Sequence, residues 1–427
     1  MDARLTEILP GETRPLGEQE RMLHYVHNIG GLIASHVLHL RGPVDDEELR
    51  RALDWLQRRH AMLRAHIEFR SIAVMRLFPW FYRKLAWSTV GTTPIPLRHA
   101  EGDWRDVLQR DVRRRFPGGR NPRLRATIVR EGSDLHHLII TADHSVGDAQ
   151  AALAASRDLL DFLADPGAAP LTNDSRLPPA MESGHTASSN PKRPFEPSQR
   201  FPMKTRWLRP ARTLFEKRQL STEETARLGE LTKARRTTLH GAVTAAMLQS
   251  AGRHFGVTTL TALSNAEFRR LMKPPVPNET FGCYIDILRT THALDRPYWA
   301  VAGDVAFKLI AAIARHQHQA SVLKVPEPGW YRHELWPTMT SYGGMDTFAI
   351  TTGGDTGFEP HYGPLAFEGI DVVVSLNPLG PAMYVLALET RGQLSVSIAY
   401  SSRRIDGGDA IAILDGAMAI LRNPPAD

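Results

Sequence analysis

The chain runs to 427 residues, of which 42% are hydrophobic and 23% charged, too long for one ordinary core and comfortable for two domains of roughly 200 residues each. Its single cysteine, Cys283, excludes an intrachain disulfide framework and any multi-cysteine zinc or iron–sulfur centre. The balance of 52 Lys and Arg against 46 Asp and Glu leaves a formal charge of +6, but scattered arginines without interleaved aromatics do not make a nucleic-acid surface.

In chain order, Met1 to Pro10 lacks the basic-then-apolar pattern of a secretory leader. Ala34 to Leu40 alternates as a strand does. Val44 to Arg59 reads as a helix capped by Asp45, with Leu49, Ala52, Leu53 and Leu56 at helical spacing. Ala65 to Phe69 alternates again, and the aromatic run Phe78 to Tyr82 is a candidate lid, core or acyl-pocket wall. Leu124 to Arg130 and Leu135 to Thr141 read as strands joined by the turn Glu131 to Asp134, and Ala149 to Leu163 as a helix.

From Ala164 to Arg206 the composition turns to Pro, Ser, Asn and Gly, which holds neither a helix nor a central strand. Helices resume at Ser221-Thr-Glu-Glu224, a capping-box pattern, and over Thr238 to His254. Strand-like segments follow at Phe348 to Thr352, Asp371 to Leu376, Met383 to Glu389 and Leu394 to Ala399, before a closing helix from Gly408 to Leu421. The expected division is therefore a domain over 1–165, a linker over 166–205 and a second domain over 206–427. No stretch approaches the ~18 uninterrupted apolar residues of a membrane span, so a cytoplasmic protein is expected.

The segment Ala142-Asp-His-Ser-Val-Gly-Asp148 places His144 four residues before Asp148, where a strand gives way to a helix. A histidine ordinarily takes a proton near neutral pH, and a carboxylate can fix the orientation of its surroundings. On its own His-x-x-x-Asp is a weak pattern, because a lone histidine at a strand end is more often structural. Ser145 lacks a Gly-x-Ser-x-Gly elbow and alternates away from its neighbour, which argues against a serine nucleophile. Gly353 to Gly357 has no Lys-Ser/Thr ending and reads as a turn rather than a phosphate loop. His136, His137, His316 and His318 lack a carboxylate or cysteine set, so no metal is expected. Cys283 reads as a small buried residue.

Several motifs together raise the weight of His144. Pro15-Leu-Gly-Glu-Gln-Glu20, Arg59-His-Ala-Met-Leu-Arg64, Asp143-His-Ser-Val-Gly-Asp148, Ser264-Asn-Ala-Glu-Phe-Arg269, Glu279-Thr-Phe-Gly-Cys-Tyr284 and Tyr362-Gly-Pro-Leu365 occur in the order seen in condensation-domain-like acyltransferases. The chain resembles that superfamily, which also takes in chloramphenicol acetyltransferase and the polyketide-associated acyltransferases, over almost its whole length. It departs from the usual His-His-x-x-x-Asp-Gly site at two places: Asp143 stands for the first histidine, and Ala149 for the final glycine.

The resemblance implies an α/β protein: two chloramphenicol-acetyltransferase-like α+β sandwiches forming a pseudo-dimer around a tunnel. His144 would be the general base, and Asp148 would support the loop by pairing with an arginine, for which Arg64 is the matching position. A bidentate arginine–carboxylate pair is directional enough to lock such a loop. Ser145, Gly147 and Thr352 are candidates for the oxyanion donors or the tunnel wall. No cofactor would be bound. The implied donor is a thioester on the phosphopantetheine of an acyl carrier protein or coenzyme A, and the basic surface suits either partner. A small-molecule hydroxyl acceptor, giving an ester in polyketide, lipid or other natural-product biosynthesis, is expected over an amine acceptor. The alternatives are an amide-forming stand-alone condensation enzyme, a silent recruitment module and, less so, an epimerase-type relative. The presence of His144, Asp148 and Arg64 argues against silence.

Overall fold

The computed structural model describes residues 11–28, 32–69, 85–167, 176–184, 212–314, 348–376 and 381–426. The aromatic run at 78–82, His316, His318 and most of the 166–205 stretch lie outside these residues.

Two six-stranded sheets form the two lobes. In the first, β2 (Ile33–Arg41) and β7 (Leu135–Asp143) lie side by side at the centre, antiparallel and in register from Ile33 opposite Asp143 to Arg41 opposite Leu135. Outside β7 come β6 (Leu124–Glu131) and then β5 (Leu97–Ala100), which runs parallel to β6. Outside β2 come β13 (Leu365–Val374) and β12 (His361–Tyr362), drawn from near the end of the chain. A linear split at 165 and 206 assigns Asp371 to the second domain, whereas its strand completes the first sheet. The sequence segment Tyr362 to Leu365 is the turn between those two strands.

The second sheet has the order β10 (Ile285–Ala293), β9 (Thr259–Glu267), β11 (Phe348–Asp355), β14 (Met383–Thr390), β15 (Gln393–Ser401) and β8 (Thr213–Gln219). Here β11 runs parallel to both of its neighbours. A small third sheet joins β1 (Thr13–Pro15), β4 (Leu85–Ser88) and β3 (His66–Phe69).

The helices begin where the sequence offers caps. Asp45 accepts from the amides of Glu47 and Glu48, both at 2.9 Å, to start α2 (Asp46–Arg59) after α1 (Glu18–Asn28). Asp103 caps α3 (Trp104–Asp111). Asp148 accepts from the amide of Ala151 to start α4 (Ala149–Ala164). Ser221 and Glu224 close a reciprocal capping box at α5 (Thr222–Ala234). Thr238 caps α6 (Leu239–Phe255), which ends at Gly256 in the left-handed conformation, φ +67°. After α7 (Tyr298–Ala314), Asp406 caps the closing α8 (Gly407–Arg422).

The apolar face of α2 (Leu49, Ala52, Leu53, Leu56) and that of α4 (Leu153, Leu159, Leu160) pack with Leu38, Leu40 and Ile140 into the core of the first lobe. Phe281, Leu386 and Leu388, from the later part of the chain, belong to that same core. The second lobe buries the alanine-rich α6 against α8 and strands β9, β11, β14 and β15. Among the described residues no helix is long and apolar enough to cross a membrane.

Candidate active site

The end of β7 sets the site. Asp143 closes the strand, residues 144–147 turn, and Asp148 begins α4, so His144 sits between two rigid elements. Backbone hydrogen bonds hold this turn. The His144 amide donates to the Leu32 carbonyl at 3.2 Å, the Val146 amide to that of Asp143 at 3.0 Å, and the Asp148 amide to that of Gly282 at 3.2 Å.

Asp143, at the place of the family's first histidine, is fully buried. Its carboxylate accepts from Arg123 Nε at 3.0 Å and from the Ser145 amide at 3.0 Å, and His24 Nδ1 lies 3.6 Å away. Burial pushes this carboxyl up, but Arg123, His27 and His24 outweigh it and hold it well below the usual carboxylate range. Asp143 thus forms a buried ion pair with Arg123 and holds the start of the turn through the Ser145 amide.

Asp148 is anchored from above. Its Oδ2 accepts from Arg269 Nη1 at 2.8 Å and from the Tyr284 amide at 2.9 Å. Its Oδ1 accepts from Arg269 Nη2 at 3.0 Å and from the Ala151 amide at 2.9 Å. Arg269 is itself wholly buried and donates further to the Gly282 carbonyl at 3.0 Å. Burial opposes its charge, and the Asp148 carboxylate more than restores it, raising its pKa.

The arginine expected to pair with Asp148 was Arg64, and this is corrected. Arg64 lies on the short turn after α2 and donates to the Arg58 carbonyl, while Arg269 makes the bidentate pair. The reason is geometric. Arg269 follows β9 and sits beside the 280–284 loop, whose backbone reaches the start of α4. Arg269 ends one of the motifs read from the sequence, but nothing local marks its partner 121 residues away.

His144 is 7% exposed. Its Nδ1 lies 4.0 Å from Cys283 Sγ, and burial, then Asp148, pushes that thiol well above its usual pKa. Cys283 is therefore a protonated, buried neighbour of the histidine. His144 lines a narrow pocket floored by strands of the first sheet and walled by α4, Phe281 and, from the second lobe, Tyr384 and Leu386.

Gly147 also lines this pocket: a Cβ there would stand 2.6 Å from the Phe281 ring, so only glycine lets that ring close over the turn. Ala149, where the family has glycine, is on the wall as well. Ser145 is fully buried and outside the pocket lining, its Oγ without a hydrogen-bond partner among the described residues. Thr352 lies on β11 outside the lining, its hydroxyl 3.1 Å from His240 Nδ1. The Tyr384 hydroxyl accepts from Asn265 Nδ2 at 2.5 Å and lies 2.7 Å from Thr351 Oγ1, which fixes the wall supplied by the second lobe. His136 Nε2 meets the Gly42 carbonyl at 2.9 Å and His137 Nε2 meets Glu131 at 3.0 Å, so both are engaged in ordinary strand contacts. The sequence motifs that contain Arg269 and Phe281 give neither a role, and no sequence signal points to Tyr384 or to His36, a second histidine on the pocket lining.

Residues 209–342 match the sequence profile of the phthiocerol/phthiodiolone dimycocerosyl transferase C-terminus. Solved structures match over nearly the full length. Polyketide synthase associated protein 5 from Mycobacterium tuberculosis is 15% identical, with 98% of this chain and 99% of that chain covered at a TM-score of 0.67. The trichothecene 15-O-acetyltransferase from Fusarium sporotrichioides is 10% identical, with coverages of 96% and 95% and a TM-score of 0.70. The cyclization-docking bidomain of the EpoB peptide synthetase from Sorangium cellulosum is 17% identical, with coverages of 96% and 84% and a TM-score of 0.70. The chain has the condensation-domain-like acyltransferase fold. At these identities the likeness establishes the two-lobed architecture, and the chemistry rests on the site. No curated protein matches the sequence.

Proposed function

We propose that this chain is an acyltransferase that moves an acyl group from a thioester to a hydroxyl acceptor, with His144 as general base. The observation that carries the reading is the division of roles within one turn. Asp148 has all of its acceptor positions taken by Arg269 and two backbone amides, so it holds the loop, while the His144 ring faces the pocket. Nδ1 lies beside the Cys283 sulfur, and the reaction uses the tautomer that carries its proton on Nδ1 and its lone pair on Nε2.

In the proposed reaction Nε2 takes the acceptor's hydroxyl proton as its oxygen bonds to the thioester carbonyl carbon. The tetrahedral intermediate then collapses, the carbon–sulfur bond breaks, and the imidazolium returns the proton to the departing thiolate. The donor would be carried on the phosphopantetheine of an acyl carrier protein or coenzyme A. A hydroxyl acceptor fits the activity named for one structural relative, a trichothecene 15-O-acetyltransferase.

The test is acyl transfer from carrier-bound and coenzyme A thioesters to alcohol and amine acceptors, comparing wild type with His144→Ala. General-base loss should lower turnover by about 10²–10⁴-fold in a protein with an unchanged unfolding midpoint. Activity that survives in His144→Ala overturns the assignment. A wild type that binds carrier protein and transfers nothing across the panel points instead to a recruitment module.

A further inference from the structure

The pocket beside His144 contains a second histidine that the reaction does not use. His36 lies on β2 between Val372 of β13 and Ile140 of β7, in the sheet row next to the one formed by Val374, Ala34, Ala142 and Leu124. Both rows face the pocket, and successive rows on one face are about 7 Å apart. His36 therefore sits about 7 Å deeper along the floor than Ala142, the pocket-facing residue that precedes His144 on β7.

His36 is 2% exposed, and its Nδ1 has no hydrogen-bond partner among the described residues. Its surroundings on the floor are Val372, Ile140 and Val374, all aliphatic. Burial, then the nearby His144, pushes its pKa down to about 4, so it is a neutral ring at physiological pH. A neutral imidazole offers one donor and one acceptor. Buried polar atoms in folded proteins are nearly always satisfied, and among the described lining residues His36 alone carries an unpaired buried side-chain nitrogen or oxygen. A wholly hydrocarbon arm would fill this floor and leave Nδ1 unpaired.

We propose that His36 is a specificity-determining residue that hydrogen-bonds a single oxygen, hydroxyl or keto, on the otherwise apolar arm of the substrate. The oxygen lies several atoms from the reacting carbonyl or hydroxyl, as the depth of His36 in the floor requires. This rests on the pocket being the substrate site of the proposed acyltransferase, but recognition by His36 is an equilibrium property and is read without turnover.

The experiment is equilibrium binding to His144→Ala, so that no transfer occurs, with two matched sets of probes. The donor set is hexanoyl-, 3-hydroxyhexanoyl-, 3-oxohexanoyl- and 5-hydroxyhexanoyl-pantetheine. The acceptor set is hexan-1-ol and hexane-1,4-diol. In one set an oxygenated probe should bind about tenfold or more tighter than its hydrocarbon partner, the gain expected from pairing a buried nitrogen. Which set discriminates tells whether the oxygen belongs to the donor or the acceptor. Adding His36→Phe should erase the preference while keeping or improving hydrocarbon binding, and His36→Gln, which retains a hydrogen-bonding group, should restore part of it. Equal binding within both sets overturns the proposal, as does a preference that persists in His36→Phe. Discrimination in a protein whose wild type never transfers an acyl group would leave His36 recognition standing and remove the catalytic reading.

Discussion

Each lobe packs a histidine against its sheet, and the two are finished differently. His240, on α6 of the second lobe, has both ring nitrogens engaged: Nδ1 with Thr352 at 3.1 Å and Nε2 with Ser264 at 2.8 Å. His36, in the first lobe, leaves Nδ1 without a partner. Burial pushes both down to about 4, aided by His292 in one case and His144 in the other. A similar shift with unequal pairing separates a structural histidine from one left for a ligand. The same contrast runs through the turn at the active site, where Asp148 accepts four hydrogen bonds and His144 lines the pocket. At the turn, the saturated Asp148 fixes the frame, and on the pocket floor the unpaired His36 nitrogen is left for substrate.

The contrast breaks most visibly at Arg269. Arg269→Ala strands a buried Asp148 carboxylate and should lower stability by about 3–5 kcal/mol. Arg64→Ala, which removes a partly buried arginine from the turn after α2, should lower it by less than about 1 kcal/mol. Chemical denaturation of both variants reads the difference, and equal losses would return the supporting role to Arg64.

Next in size is the response to acid. The unfolded chain protonates a histidine below about pH 6.5, whereas His36 and His240 stay neutral in the native protein until about pH 4. The unfolded state therefore binds more protons between these values. Stability is complete above pH 6.5 and falls as pH drops toward 4, by about 3 kcal/mol for each histidine. Denaturation midpoints from pH 7.5 to 4 should show this decline, and His36→Phe and His240→Leu should each flatten it. A curve that stays as steep in His36→Phe would mean that this ring is already charged in the folded state.

The smallest effect sharpens the comparison most directly. At pH 7.5 His240→Leu leaves the Ser264 and Thr352 hydroxyls without the ring and should destabilise by about 2 kcal/mol, whereas His36→Phe should change stability by less than about 1 kcal/mol. A large loss in His36→Phe would place His36 among the structural groups.

Local chemistry was legible in the sequence and long-range partnership was not. The caps at Asp45 and Ser221, the alternation of β2 and the turn between β6 and β7 follow from neighbouring residues, and the helices and strands form there within a residue or two of expectation. The position of His144 at a strand-to-helix junction follows from the same signals. Which arginine meets Asp148 depends on how β9 and the 280–284 loop approach α4, and no spacing rule encodes that approach. The helix α7 and strands β9 and β10 were passed over, and β9 and β10 mix polar and apolar residues along both faces. His36 was hidden because it stands at an inward position of a strand otherwise read correctly. A polar residue at such a position is the signal that could have exposed it.

The late strand β13 sets a timetable for the newborn chain. Until Leu365–Val374 emerges, β2 has no partner on its outer side. A ribosome adding about 10 residues each second needs roughly half a minute to travel from the end of β2 to the start of β13. For that interval a mostly buried, apolar strand carries open backbone hydrogen-bonding groups, a surface on which other chains can pair. The floor of the pocket, with Val372 and Val374 beside His36 and Ala34, is finished only when translation is nearly over. A chain cut short before residue 365 would carry His144 and Asp148 on an incomplete floor, and two separately made halves would have to exchange a strand to rebuild it.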